Sequence, residues 1–333
     1  MTSPLHSIIT APVPCCISCG AIGVLKQVDV FDPDNVFTEP WAYKQCSNSK
    51  CGLVWLDPAP LPSELWKAYT SYHTHTRPAE NKFSKRILSL INRCIRTALL
   101  PIWLVNGLWR ESQYFRLLTL GDLPNGKLLD IGCGGGRYMH RMQRRGWQVE
   151  GIDFDEQATL KVSTRYGIKT YNGELANAKL PDAYFDAITL SHTIEHLVDP
   201  LATLRECARI LKPGGRLVVL TPNVESTAAK LFGPFWRGWE PPRHLHLFSV
   251  DTLTLFLSQS GFKISVARTS AQATAIGYRA SRLLQLHQSS SPSLFFQIKL
   301  MIWSYYKELS DFNAQKSGKH VAQMLLAIAV KPE

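Results

Sequence analysis

A short apolar run, Leu128-Leu129-Asp130-Ile131, opens directly into Gly132-Cys133-Gly134-Gly135-Gly136 and then into Arg137 and a helix-forming stretch. No other feature of the 333 residues constrains the fold as much. Glycines permit the sharp strand-to-helix turn and let backbone come close to a ligand. The helix behind the turn offers unpaired N–H donors. Asp130 precedes the first glycine, so its carboxylate points at the turn. It repels a pyrophosphate and suits a cationic amino-acid head group. The turn therefore argues against a dinucleotide and for a zwitterionic ligand.

From this turn onward the pattern alternates. Strand-like runs at 127–131, 148–152, 168–171, 185–190, 216–220 and 262–268 are separated by helix-like runs at 137–145, 156–166, 201–211 and 251–260. Such alternation predicts βαβ units and a doubly wound, mostly parallel α/β sheet. The apolar run 323–330 is a candidate last strand, preceded by helical, Ser-rich sequence that includes 294–309.

At these residues the chain resembles the class I S-adenosylmethionine-dependent methyltransferases, over roughly residues 115–270 and the last strand. Further segments match in the family's order. Val149-Glu150-Gly151-Ile152-Asp153-Phe154 looks like the second strand ending in an acid, and the resemblance implies that Asp153 holds the ribose hydroxyls. Gly173-Glu174-Leu175 resembles the adenine-side loop. Ser191-His192-Thr193-Ile194-Glu195-His196 resembles the loop facing the sulfonium, and Leu211-Lys212-Pro213-Gly214-Gly215 the turn before strand five. The implied fold is a seven-stranded, Rossmann-like sheet. The implied cofactor contacts are Asp130, Gly132, Gly134, Gly136, Asp153, Phe154, Glu174, Leu175 and Ser191.

The first 60 residues have another texture. They hold five of the eight cysteines, with short strand-like runs at 24–30, 41–45 and 53–56. Cys16-Ile17-Ser18-Cys19-Gly20 and Cys46-Ser47-Asn48-Ser49-Lys50-Cys51-Gly52 each place two thiolates on one knuckle. Four thiolates make a closed, structural zinc site, with Cys16, Cys19, Cys46 and Cys51 as ligands. The second pair has four intervening residues rather than two, and Cys15 competes with Cys16. A module this small needs such a staple, because apolar burial alone does not hold it. A subset of the methyltransferases, many of them resembling enzymes of sugars and other small molecules, looks similar in carrying such a ribbon.

Residues 61–120 read as helical, with a helix at 64–69 and a basic amphipathic one at 82–100 that Pro101 interrupts. The net charge is +11, and twelve Lys and Arg against three acids fall between Lys82 and Arg145. Such a field attracts anionic partners. Segment 82–110 is a candidate interfacial helix, in competition with a lid over the sheet. No charge-free stretch of transmembrane length is present and the N-terminus shows no secretory pattern, so a cytoplasmic protein, peripheral to the inner membrane face at most, is expected.

Methyl transfer to a hydroxyl benefits from a base near neutral pKa. His192 is the first candidate, followed by His196 and Glu195, then His244. The segment Phe235-Trp236-Arg237-Gly238-Trp239-Glu240-Pro241-Pro242-Arg243-His244-Leu245-His246-Leu247-Phe248-Ser249 is expected near the acceptor, with Arg243, His244 and His246 as contacts. The expectation is therefore a zinc ribbon (1–60), a basic helical linker or lid (61–120), a methyltransferase core (121–270), and a helical insertion with the last strand (271–333). The activity expected is methyl transfer to a small anionic or hydroxylated acceptor, a sugar or a glycan or lipid precursor. The alternatives are a nucleic-acid methyltransferase, disfavoured by the absence of an Asn-Pro-Pro-aromatic motif after strand four, and a non-catalytic ribbon-bearing adaptor.

Overall fold

The computed structural model describes residues 7–69, 82–272, 274–286 and 293–333, with the side chains of 82–85 excepted. The N-terminal part holds β1 (Thr10–Ala11), β2 (Gly23–Val30), β3 (Trp41–Cys46), β4 (Val54–Leu56) and β5 (Ala59–Pro60), with a 3-10 helix over Pro62–Tyr69. Two helices follow, α1 (Lys82–Asn106) and α2 (Leu108–Arg116). The core then alternates as β6 (Lys127–Ile131), α3 (Arg137–Gln143), β7 (Gln148–Asp153), α4 (Glu156–Tyr166), β8 (Lys169–Asn172), β9 (Phe185–Ser191), α5 (Pro200–Ile210) and β10 (Leu211–Pro222). It ends with α6 (Thr227–Phe232), β11 (His246–Leu247), α7 (Val250–Gln259), β12 (Lys263–Ser270), α8 (Thr274–Gln285), α9 (Leu294–Lys316) and β13 (Met324–Val330).

Seven strands form one sheet in the order β12-β13-β10-β9-β6-β7-β8. β6, β7, β8, β9 and β10 pair in parallel, and β13 runs antiparallel between β10 and β12. The central strands are buried on both faces: Leu128, Leu129, Ala187, Ile188, Leu190, Leu217 and Val219 are all inaccessible to solvent. That explains their unbroken apolar sequence, because helices cover both sides of a parallel sheet. The order jumps from β6 to β9, so the carboxyl ends of β6 and β9 diverge around a crevice, the place where open α/β sheets bind ligands.

Local sequence explains the helix boundaries. Asp155 caps α4, accepting from the N–H groups of Gln157 and Ala158, and Gly167 ends it at a φ of +63°. Asp199 caps α5 with Pro200 in its first turn, and Ser249 caps α7 by accepting from the Thr252 N–H. These are the side chains that satisfy otherwise orphaned helix-end donors.

Three expectations change. Pro101 does not interrupt α1, which runs through to Asn106. Proline removes one helical hydrogen bond, but contacts with α9 on both sides of it hold the helix: Tyr305 donates to Asn92 Oδ1 and its ring lies 5.6 Å from that of Trp103. Residues 64–69 are 3-10 rather than α-helical, within Pro62–Tyr69. Third, the ribbon is not a freestanding module. Its sheet has the order β11-β4-β3-β2, so a strand from beyond β10 completes it. Cys16, Cys46, Cys51, Leu53 and Trp55 belong to the same apolar cluster as Ile188, Leu253 and Phe256. Thr252 Oγ1 also donates to the Cys51 carbonyl at 2.8 Å.

Candidate active site

Asp130 is the penultimate residue of β6, and Asp153 ends the neighbouring β7. Between them Gly132, Gly134 and Gly136 have φ of +74°, +49° and +68°, the left-handed region that glycine alone occupies freely. Two of these positions also lack room for a side chain. A Cβ on Gly132 would collide with Thr193, and one on Gly136 would come within 2.6 Å of Val162. The turn therefore needs these glycines for close packing as well as for backbone shape.

Asp130 is buried, and Thr189 Oγ1 donates to its Oδ1 at 2.6 Å. Burial pushes its carboxyl up to about 7, and the nearby Asp153 charge adds to the rise. A cationic ammonium beside it would reverse both effects and leave it ionised. The Asp153 carboxylate accepts from the N–H of Gly134 at 2.7 Å and of Asp155 at 3.0 Å, one on each oxygen. Each oxygen keeps a lone pair, so the group can accept two further O–H bonds. Burial raises its pKa against these two donors. Phe154 is exposed, with its ring 4.5 Å from that of Tyr69. Glu174 precedes a 3-10 turn over Leu175–Ala178 in which Leu175 is buried.

A cavity of about 440 Å³ opens on this edge, lined by Asp130, Gly132, Cys133, Ser191 and His192 on the strand side. Phe115, Arg116, Leu118, Tyr138, Arg141, Gln272 and Met324 complete it. These last residues were not singled out from sequence. The signal for two of them was present, because Arg116 and Arg141 belong to the basic stretch 82–145. Arg141 Nη1 donates to the Arg116 carbonyl at 2.7 Å. Among the described residues neither guanidinium has a carboxylate within ion-pairing distance.

His192 follows β9 at a φ of +55° and is half exposed to the cavity. Its Nδ1 lies 3.5 Å from Glu195 Oε1. Desolvation works to lower the His192 pKa, and the Glu195 carboxylate more than offsets it, so the pKa lies above the ordinary 6.5. Glu195 is fully buried and accepts from Thr221 Oγ1 at 2.8 Å. Burial alone would raise its pKa; the His192 contact and the neighbouring histidines pull it down to about 2.

The other histidines face the protein. His196 Nδ1 meets the Tyr69 hydroxyl at 3.1 Å and the Arg243 carbonyl at 3.0 Å. His244 Nδ1 meets the Gly238 carbonyl at 2.8 Å, and burial lowers its pKa to about 4. Neither lines the cavity. Glu195, His196 and His244 do keep one ligand-type atom each within 4.8 Å of one another. His246 is likewise buried, with Nδ1 at 3.1 Å from the Leu197 carbonyl.

Arg243 corrects the expectation of an acceptor-binding segment at 235–249. It is fully buried and pairs with Asp32 at 2.8 Å, Asp34 at 2.9 Å and Glu240 at 3.1 Å. Three carboxylates neutralise it, so none of its charge is left for a ligand. Trp236, Trp239 and Leu245 are buried with it. The segment locks the N-terminal sheet to the core.

The four expected metal-type cysteines do converge. Cys16 Sγ and Cys51 Sγ are 3.6 Å apart, Cys19 Sγ and Cys46 Sγ 3.3 Å, and all four lie within 4.8 Å of one another. A tetrahedron with metal–sulfur bonds of about 2.3 Å has edges of about 3.8 Å, so the set fits a zinc ion with little movement. Burial raises the Cys16 thiol well above its ordinary range and Cys46 to about 11, so a cation is what would bring both to thiolate. Cys15 stands outside the cluster and is exposed.

The family model described as a methyltransferase domain matches residues 108–265. Over these residues the chain is similar to methyltransferase domains. The seven-stranded order described above is Rossmann-like. A ubiquinone biosynthesis O-methyltransferase of Alkalilimnicola ehrlichii is 38% identical over 113 residues, 31% of this chain and 44% of that protein. The enzyme of the same name from Xanthomonas campestris is 39% identical over 108 residues, 30% and 45% of the two chains. A probable S-adenosylmethionine-dependent methyltransferase of Mycobacterium tuberculosis is 35% identical over 136 residues, 40% and 48%. The chain thus spans about half the length of the relatives it matches. A solved methyltransferase from Archaeoglobus fulgidus covers 68% of this chain and 93% of its own at 21% identity, with a TM-score of 0.45. The matched residues include every cofactor-side residue named from the sequence, and Asp130, Gly132, Ser191 and His192 line one cavity.

Proposed function

We propose that the protein is an S-adenosylmethionine-dependent methyltransferase acting on a hydroxyl of a small, anionic acceptor, a sugar or a glycan or lipid precursor. The observation that carries this reading is the arrangement at one sheet edge. Asp130 and Asp153 flank the glycine turn, and His192, backed by Glu195, lines a cavity together with Asp130 and Gly132. In this reading Asp130 receives the methionine ammonium, Asp153 the ribose hydroxyls, and Gly132 to Gly136 the close backbone contacts. Phe154, Glu174 and Leu175 flank the adenine. Bound S-adenosylmethionine supplies an electrophilic methyl carbon on a sulfonium.

The chain's own residues position the acceptor and move its proton. Glu195 faces Nδ1 of His192 at 3.5 Å, which leaves Nε2 for the acceptor hydroxyl. Nε2 would take the proton of the acceptor hydroxyl as its oxygen is methylated. Arg116 and Arg141 give the cavity wall a positive charge, which supports an acceptor carrying a carboxylate or phosphate. His196 and His244 brace the loop. A zinc ion on Cys16, Cys19, Cys46 and Cys51 is structural, since four protein ligands leave no open position for chemistry. The protein works in the cytoplasm or at the inner membrane face, where segment 82–110 meets lipid.

The test is a screen with methyl-labelled S-adenosylmethionine over nucleotide sugars and phosphorylated hydroxy compounds. Only neutral His192 accepts a proton, so kcat/KM rises with pH through a pKa above the ordinary 6.5. Replacing Glu195 by Gln removes the carboxylate that stabilises imidazolium, and the rise moves to lower pH. A pH profile identical in Glu195→Gln would rule out His192 as the base.

A further inference from the structure

Among the described residues, the exposure of α1 conflicts with its composition. Its stretch Arg86–Asn106 is long and apolar enough, by length and composition, to cross a membrane, and none of its apolar window is buried. The stretch is not charge-free, since Arg86, Arg93 and Arg96 lie in it. The helix is apolar on two sides. One stripe, Asn92, Leu99 and Trp103, faces α9 and is partly covered. On the opposite side Leu90, Cys94, Pro101, Leu104 and Val105 fall within one arc by helical spacing, and all are exposed. Val105 is 88% exposed and Leu90 62%. A soluble surface helix carries polar residues there.

The charge around this face has one sign. Residues 82–110 contain six Lys and Arg and no Asp or Glu. Arg86 and Arg93 border the exposed arc and are themselves exposed, whereas Arg96 lies over the Trp103 ring on the inner side. α9 adds a second apolar ridge of Phe295, Ile302 and Tyr306, spaced for one helix face, with Lys299 between them.

We propose that the outer face of α1 docks flat on an anionic lipid bilayer. Apolar side chains would enter the acyl boundary while the flanking arginines meet lipid phosphates, the pattern of interfacial helices. The inner stripe fixes the orientation. Tyr305 holds Asn92, and Lys316 Nζ donates to the Asn106 carbonyl at 3.4 Å. A helix tied along its length to the globular body lies on the membrane rather than crossing it. α2 follows after Gly107 and supplies Phe115 and Arg116 to the active-site cavity. Docking therefore brings the cavity close to the lipid surface. The proposal names the membrane contact of the reading above and stands without the transfer reaction.

The experiment is co-sedimentation of the full, zinc-loaded chain with vesicles of phosphatidylcholine alone and of phosphatidylcholine with phosphatidylglycerol. Acidic vesicles are expected to bind about tenfold or more tightly, with the difference shrinking as salt is raised. The double variant Leu104→Glu/Val105→Glu should lose this binding by about tenfold or more, with its melting temperature and S-adenosylhomocysteine affinity unchanged. Equal binding to both vesicle types would overturn the proposal, and so would full binding by the double variant. Self-association that the double variant abolishes, without vesicle binding, would show that a second copy covers the face instead. A wild type that binds acidic vesicles but not S-adenosylhomocysteine would leave the docking intact and remove the transferase reading.

Discussion

His192→Ala should lower kcat for methyl transfer by about 10²- to 10⁴-fold while leaving S-adenosylhomocysteine affinity within a factor of about two. The separation follows from position. His192 lies beyond β9 in the cavity, half exposed, and touches Glu195 rather than Asp130 or Asp153. Its imidazole is the one histidine in the cavity lining, whereas His196 and His244 spend their Nδ1 atoms on backbone carbonyls. His244→Ala should instead act on stability, because it hollows a buried site beside Glu240 and Gly238. Single-turnover rates with the acceptor found by the screen check the first effect, and melting temperature checks the second. If His192→Ala turned over at the wild-type rate, the enzyme would be working by positioning alone.

Stripping zinc should unfold more than the ribbon. Structural zinc contributes on the order of 10 kcal/mol to small thiolate modules. Here the cluster is wired into the main core. Cys16, Cys46 and Cys51 pack with Leu253 and Phe256 of α7, and Thr252 bonds to the Cys51 carbonyl. Trp55 bridges the layers, with Nε1 donating to the Val13 carbonyl at 2.8 Å. A strong chelator, or Cys51→Ser, should lower the melting temperature by roughly 10 °C or more, in one transition that includes α7. Metal analysis should give one zinc per chain. A protein without zinc that melts at the same temperature in chelator would contradict this reading.

The sequence was most readable where local backbone chemistry and ligand chemistry coincide. The run from Leu128 to Arg137 has one economical use, a strand ending at a glycine turn, and β6 and α3 start where it implies. Asp153 was legible for the same reason, as an acid closing an apolar strand. The cysteine spacing placed four sulfurs together because each pair spans a tight knuckle. What escaped reading depends on long-range pairing. Arg243 looks like an anion contact in one dimension, and only the fold brings Asp32 and Asp34, some two hundred residues away, onto it. β11 is two residues long and gains its identity from β4. Arg116 and Arg141 were counted as surface charge, since nothing local distinguishes a cavity-facing arginine from a solvated one. Continuation of α1 through Pro101 depends on α9, more than two hundred residues away.

Calorimetric titration of the zinc-loaded chain with S-adenosylhomocysteine, beside Asp130→Ala, tests the central claim most directly. Micromolar binding is expected of the wild type, with a loss of about tenfold to a hundredfold in the variant, whose buried ammonium partner is gone. A folded, zinc-loaded wild type that binds no S-adenosylhomocysteine would contradict it and leave the adaptor reading in front.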